Sequence, residues 1–185
     1  MRQTLAWGFA GKAGGVTPEV QAAYAACRAI ARKKAKNFYY AFIALPASKR
    51  DAICAVYAFM RQADDLSDDE SHTIAHRRVA LDAWLTNWHQ ALAGASTNDP
   101  VFVALLDAQR RFAIPAQLLD QLVQGTATDL EPRFAAYATF ADLYRYCYLV
   151  ASVVGLVCIR IFGYLDPRAE NTSKLRCSMC RNKRW

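Results

Sequence analysis

The sequence predicts an all-α fold, and three observations support that prediction. Alanine, the best helix former, is abundant throughout the chain, apolar residues recur at helical spacing, and strand signals are almost absent. Only eight glycines and six prolines interrupt the 185 residues, and 54% of the residues are hydrophobic. A chain of this length and composition is sufficient for one domain with a sizeable core.

Helix boundaries are predicted from local start and stop signals. Thr17 is a predicted N-cap and Pro18 a first helical residue, so a helix runs from there to about Lys34. An aromatic segment, KNFYYAFIALP, follows and ends at Pro46. Ser48 is then predicted to cap a helix that begins at Lys49 and continues through an acidic cluster.

Further helices are predicted over residues 74–93 and 101–112 and from Pro115 onward. Thr139 and Asp142 have the spacing of a capping box, which opens the longest predicted helix, reaching about Phe162. Its uncharged run, residues 146–159, is shorter than the roughly 20 residues that a bilayer requires. We therefore expect this helix to pass through the middle of the fold.

We predict a helical domain over residues 17–170, preceded by a loose leader (1–16) and followed by a disordered basic tail (171–185). The tail contains five basic residues and no acid, so removing it lowers the net charge from +7 to +2. A nucleic-acid partner is therefore not predicted. Four of the six cysteines lie in apolar helical runs, which favours a reducing compartment, and no export signal is evident. We expect a cytoplasmic location.

The acidic cluster contains five acids in seven positions, which are Asp64, Asp65, Asp68, Asp69 and Glu70. On a helix Asp64 and Asp68 lie one turn apart, as do Asp65 and Asp69, so their like charges repel. Acids are also unfavourable near a helix C-terminus. A solvated helix end or turn is the simplest interpretation of such a run.

A divalent cation offers a functional interpretation of the same cluster. Mg²⁺ is typically held by one or two carboxylates together with substrate phosphates. Arg61 lies one turn before Asp64, where its guanidinium is expected to bind a phosphate beside the metal, and Tyr57 lies one turn earlier again. The residues Tyr57, Arg61, Asp64 and Asp68 thus predict a phosphate and metal site.

Three segments in this order, KNFYYAFIALP, AICAVYAFMRQADDLSDD and YCYLVASVVGL, resemble the squalene and phytoene synthase family of head-to-head prenyl synthases. The resemblance covers residues 25–170. It implies an all-α isoprenoid-synthase-type helical bundle in which aspartate-rich helices face each other across an apolar cavity. It also implies a prenyltransferase that joins two prenyl diphosphates, farnesyl or geranylgeranyl diphosphate, into squalene or phytoene.

The resemblance also implies roles for individual residues. Asp64 and Asp68 match the first aspartate-rich motif, whose carboxylates bind Mg²⁺, while Arg61 matches its diphosphate-contacting arginine and Tyr57 the tyrosine beside the reacting carbons. A complete family member is expected to hold roughly two or three Mg²⁺ ions. The motifs leave open the substrate chain length, the product and any use of NADPH.

Substrate-binding positions are implied on two other segments. Lys36 and Phe38 match the basic and aromatic positions of the early motif, and Tyr146, Val150 and Val154 match cavity-lining positions, whose spacing of four predicts one helix face. The carbocation left by an ionising allylic diphosphate needs an apolar, water-free cavity with π faces. The expected rings are those of Tyr57, Phe38, Phe42 and Tyr146.

Family members are expected to continue past the IFGY segment into a second aspartate-rich helix, whereas this sequence changes to the basic stretch NTSKLRCSMCRNKRW. We therefore expect a bundle that is incomplete at its C-terminus and a chain with weak or no turnover. Two alternatives stay open. One is a non-catalytic prenyl-diphosphate-binding or helical interaction protein, and the other is a nucleic-acid binder that depends on the tail. Because the expected product is strongly apolar, peripheral contact with a membrane is also expected.

Overall fold

The protein is all-α over the residues that this computed structural model describes, which are 16–130, 137 and 139–164. The elements are α1 (Pro18–Lys34), α2 (Asn37–Ile43), α3 (Ala47–Ser67), α4 (Ile74–Leu92), α5 (Pro100–Phe112), α6 (Ala116–Thr128), α7 (Phe140–Cys147), a π turn (Tyr148–Ser152) and α8 (Val153–Phe162). The predicted fold class is confirmed. The predicted leader (up to residue 15) and basic tail lie outside the described residues.

Two predicted helix starts are confirmed at the level of their capping groups. The Thr17 side chain accepts a hydrogen bond from the Val20 N–H at 3.3 Å, and Pro18 occupies the first turn of α1. Thr139 and Asp142 form the predicted capping box, since each side chain accepts a hydrogen bond from the backbone N–H of the other residue. Local signals were sufficient at these positions because the capping groups are close in sequence.

The predicted bounds of α3 were wrong at both ends. Pro46 is its N-cap and Ala47 its first residue, so Ser48 lies inside the first turn and caps nothing. The helix ends at Ser67, and Asp69 accepts hydrogen bonds from Ser71 in the turn that follows. Asp69 therefore does not stack on Asp65 along a helix face. Asx turns of this kind compete with helix continuation, and the helix dipole disfavours further acids there.

An aromatic cluster packs between α3, α4 and α5 in the core. The ring of Phe59 on α3 stacks against Trp84 with centroids 5.7 Å apart and lies 5.5 Å from the ring of Trp88. Phe102 on α5 completes the cluster, with its ring centroid 4.4 Å from that of Trp84. Since Phe59 and Trp88 are fully buried, this cluster anchors the second half of α3, five residues before Asp64, against α4 and α5.

Cys27 on α1 and Cys54 on α3 are buried free thiols, as the apolar sequence around them predicted. Burial raises the pKa of Cys27 to about 12 and the pKa of Cys54 to about 11. Both side chains are therefore neutral at physiological pH and contribute to packing rather than to thiol chemistry.

The expectation that the last long helix passes through the middle of the fold was wrong for the described residues. The buried side chains of the π turn and α8, Leu149, Val153, Leu156, Val157 and Ile161, lie toward α3 and α6. Other apolar side chains of the same helix, including Phe140, Val150 and Phe162, are exposed. Within the described residues α3 and α6 provide most of its contacts, so only one side is covered.

The continuous helix Phe140–Phe162 is also long and apolar enough to cross a membrane, because it spans 23 residues rather than the fourteen of its uncharged run. In its most apolar window 28% of the residues are buried within the protein. Length and composition alone do not separate a core helix from a membrane-spanning one. Among the described residues, no other helix meets both criteria.

Two glycines provide a matched test of how α6 packs on the π turn. A Cβ atom on Gly125 of α6 would lie 3.2 Å from the Leu149 carbonyl oxygen, whereas a Cβ atom on Gly155 of α8 would meet no described atom within 4 Å. Where the added methyl group meets no other atom, replacing a helical glycine by alanine raises the free energy of unfolding by about 1 kcal/mol. We expect Gly155→Ala to raise the melting temperature and Gly125→Ala to lower it. An equal rise in both variants would show that α6 does not pack closely there.

Candidate functional site

The predicted site residues of α3 lie along a single side of the helix near its C-terminal end. Tyr57, Arg61 and Asp64 are spaced four and three residues apart, and all three are partly buried. Asp68 is the C-cap residue and is exposed, and its N–H donates to the Asp64 carbonyl oxygen at 2.8 Å. The helix therefore leads from the apolar core, past a phenol and a guanidinium, to two carboxylates at its solvent end.

Asp64 is held in a half-buried position by a residue from α6. The Thr126 hydroxyl donates a hydrogen bond to Asp64 Oδ1 at 3.1 Å. Burial raises the pKa of the Asp64 carboxyl above its ordinary value, and the nearby charges of Asp68 and Asp65 act in the same direction. The hydrogen bond from Thr126 and the charge of Arg61 lower that pKa and so partly offset the effect.

Arg61 forms an ion pair with Asp65, one turn further along α3. Lys34, at the end of α1, places its Nζ 3.4 Å from the other oxygen of the same carboxylate. These side chains are partly or fully exposed, and exposed ion pairs contribute little free energy. An incoming anion such as diphosphate can therefore displace Asp65 from Arg61 at small cost.

Tyr57 contributes a ring and a neutral hydroxyl to the site. Its ring lies edge-on to the ring of Phe42 from α2, with centroids 6.2 Å apart. Burial raises the pKa of Tyr57, so the phenol is protonated at neutral pH and acts as a hydrogen-bond donor. The structure thus brings together two of the four rings that the sequence assigned to the cavity.

Lys36 lies in the turn between α1 and α2, and Phe38 is the second residue of α2. Lys36 has a positive φ of 40°, which is unusual for a residue with a side chain, and it precedes the first residue of α2. Strained backbone of this kind persists where the surrounding structure demands it. The Phe38 ring is 69% exposed, so within the described residues it does not join the Tyr57 and Phe42 pair.

Tyr146, Val150 and Val154 lie on the helix that contains the π turn, and their shared cavity-lining face stays a prediction. The π turn at 148–152 adds a residue to one helical turn, which rotates the positions that follow it. Val150 is exposed, whereas Val154 packs against the core and the Tyr146 ring lies 5.3 Å from the ring of Tyr137. The sequence alone gave no sign of this insertion.

The carboxylates suit a magnesium ion that is shared with a substrate. Among the described residues no group of three or more His, Cys, Asp or Glu side chains is arranged to hold a metal ion. Asp64 and Asp68 lie one turn apart, and Thr126 engages only one oxygen of Asp64. Mg²⁺ commonly takes one or two carboxylates and completes its shell with phosphate oxygens and water, which this pair allows.

Three contributors to the site were missed by sequence reasoning. Thr126 and Lys34 come from other helices, and Asp65 was noted only as one acid of the cluster. Thr126 lies 62 positions from Asp64 in the sequence, and no motif or periodicity relates the two residues. A threonine inside an amphipathic helix is an ordinary residue, so only the packing of α6 on α3 reveals its role.

Comparisons with known proteins agree with this architecture. A family model described as squalene/phytoene synthase matches residues 31–181. The 15-cis-phytoene synthase of Synechococcus elongatus is 36% identical over 76% of this chain and 44% of its own length. The phytoene synthase of Mycobacterium tuberculosis is 35% identical over 84% of this chain and 49% of its own length. This chain thus spans about half the length of the curated relatives it matches.

A solved structure gives the same result for the fold. The squalene synthase of Alicyclobacillus acidocaldarius superposes with a TM-score of 0.75 and 30% identity, covering 90% of this chain and 61% of that one. The fold and the acidic helix end therefore define an all-α isoprenoid-synthase chain. The chain belongs to the squalene/phytoene synthase family, whose members are prenyltransferases.

The half-buried Asp64 carboxylate predicts a pH-dependent effect on stability. Because its pKa is raised in the folded protein, the folded chain retains a proton that the unfolded chain has lost, and stability falls as pH rises through that interval. We expect Asp64→Asn to raise the urea midpoint of unfolding more at pH 7 than at pH 3. The ordinary pKa of aspartate is about 4, so at pH 3 the carboxyl is already protonated in both the folded and the unfolded chain. Asp68→Asn is the control for net charge, and an equal gain for Asp64→Asn at both pH values would contradict the prediction.

Proposed function

We propose that this chain binds a prenyl diphosphate at the C-terminal end of α3 and forms one half of the site of a head-to-head prenyl condensation. The observation that carries the proposal is the arrangement on α3, where Arg61 and the half-buried Asp64 lie directly beyond the Tyr57 and Phe42 ring pair. This arrangement places anion-binding groups beside an apolar wall, as an amphiphilic diphosphate requires.

At the polar end, the residues bind and orient the leaving group. The Arg61 guanidinium exchanges Asp65 for diphosphate oxygens, to which its planar fork is suited. Asp64 and Asp68 are the carboxylates that would hold Mg²⁺. When bound, this ion neutralises negative charge on the departing diphosphate.

At the apolar end, the residues exclude water and face the carbon chain. Breaking the allylic carbon–oxygen bond sends both electrons to the diphosphate and leaves a carbocation, which aromatic faces stabilise. Tyr57 and Phe42 supply those faces among the described residues. The head-to-head reaction then joins two prenyl chains through a cyclopropylcarbinyl diphosphate intermediate, as the family resemblance implies.

Phytoene is the product that the comparisons favour, because the curated relatives cited above are named phytoene synthases. Geranylgeranyl diphosphate is accordingly the first substrate to test, with farnesyl diphosphate as the comparison. Incubation with either substrate should release inorganic pyrophosphate when Mg²⁺ is present and none when Mg²⁺ is left out. Because Phe38 and Val150 are exposed to water within the described residues, we expect the rate of pyrophosphate release to be low.

The non-catalytic alternative, a prenyl-diphosphate binder, is favoured by the exposure of Phe38 and Val150. Both side chains were assigned to the cavity, yet both are exposed to water, and water would quench a carbocation. Binding without pyrophosphate release would favour this alternative. The absence of both binding and release would overturn the proposed function in either form.

Arg61 provides a direct test of the anion site. We expect Arg61→Lys to weaken binding of geranylgeranyl diphosphate about tenfold in the presence of Mg²⁺, because a lysine cannot offer two parallel hydrogen bonds. Equilibrium binding of the radiolabelled substrate measures the effect. Arg78→Lys, on the exposed surface of α4, is the matched control. Equal loss in the two variants would show that the effect is not specific to Arg61 and would contradict the anion site.

A further inference from the structure

Thr126 is the residue through which α6 reaches the proposed metal site. Its side chain is nearly buried, and its hydroxyl lies 3.1 Å from Asp64 Oδ1 and 3.4 Å from the Leu122 carbonyl oxygen of its own helix. A hydroxyl has a single hydrogen to donate, and an ionised carboxylate is the stronger acceptor at the shorter distance. The hydrogen is therefore directed mainly at Asp64.

The neighbouring backbone explains why Thr126 stays in this position. Gly125 approaches the π turn so closely that a Cβ atom there would lie 3.2 Å from the Leu149 carbonyl oxygen. This contact fixes the distance between α6 and the helix that contains the π turn. Because α6 also packs on α3, the Thr126 side chain has little freedom to move away from Asp64.

We propose that Thr126 is a positioning residue, which donates to Oδ1 of Asp64 and thereby presents Oδ2 to the metal ion. This inference rests on the proposed function, since it requires Asp64 to be a ligand. A carboxylate near a helix end rotates freely unless a second group fixes it, and ligands fixed in this way bind metal more tightly. Removing such a supporting hydrogen bond typically weakens metal affinity about 10- to 100-fold.

Substitutions on α6 separate this role from a general effect on folding. Thr126→Val keeps the shape of the side chain and removes the donor, whereas Thr126→Ser keeps the donor. Thr128→Val is the matched control, because the Thr128 hydroxyl donates to the Gly125 carbonyl oxygen at 2.6 Å within the same helix. Thr126→Ala serves as a second donor-free variant if Thr126→Val does not fold.

The measurement is Mn²⁺ titration of the ¹⁵N-labelled chain, with broadening of the amide signals of residues 64–68 as the readout of binding. We expect the apparent Kd of Mn²⁺ to rise about tenfold in Thr126→Val, to return close to the wild-type value in Thr126→Ser, and to stay unchanged in Thr128→Val. In an Asp64→Ala background, Thr126→Val should have no further effect on Mn²⁺ broadening.

The outcomes distinguish this inference from the function on which it rests. If the wild-type chain binds Mn²⁺ at residues 64–68 and Thr126→Val binds it equally well, the positioning role is overturned and the metal site stands. If Thr126→Ser loses as much affinity as Thr126→Val, the hydroxyl is not responsible and the inference is again overturned. If the wild-type chain shows no broadening there, even with geranylgeranyl diphosphate present, Asp64 is not a metal ligand and the inference fails, whereas the proposed function is judged separately by binding of the prenyl diphosphate and release of pyrophosphate.

Discussion

The half-buried carboxylate of Asp64 is the constraint on which the rest of the site depends. A carboxylate in this position is costly to ionise, since burial disfavours its charged form. The hydrogen bond from Thr126 and the charge of Arg61 offset part of that cost, and both depend on packing elsewhere. Thr126 is held by the close contact of Gly125 with the π turn, and α3 is anchored by the aromatic cluster around Phe59. The polar end of α3 therefore depends on its packing against α4, α5 and α6.

The sequence predicted features that depend on residues close together in the chain, and it missed features that depend on contacts between helices. The starts of α1 and α7 were predicted correctly because Thr17 and the pair Thr139 and Asp142 act within one helical turn. The predicted α3 was too long at its C-terminal end, because a turn at Asp69 competes with the helix there. The sequence around Asp69 is compatible with either a helix or a turn. The contact between Thr126 and Asp64 could not be predicted, since it exists only when α6 packs on α3.

The π turn lies against the backbone of α6. A run of apolar residues with a spacing of four was expected to present Tyr146, Val150 and Val154 together, and that expectation stays a prediction. Leu149 in the π turn is buried, and its carbonyl oxygen is the atom that a Cβ on Gly125 would meet at 3.2 Å. Apolar side chains fit either helical form equally well, so hydrophobic periodicity cannot distinguish them. The packing of the π turn on Gly125, the residue before Thr126, is therefore visible only in the folded chain.

Binding of diphosphate and turnover place different demands on this chain. The binding proposed above uses groups that lie within two turns at the end of α3, namely Arg61, Asp64 and Asp68, together with one hydrogen bond from α6. Turnover requires, in addition, that water be kept from a carbocation, and the described residues cover only one side of the apolar wall, because Phe38 and Val150 are exposed. As proposed, anion recognition is a local property of α3, whereas protection of the carbocation depends on the enclosure as a whole.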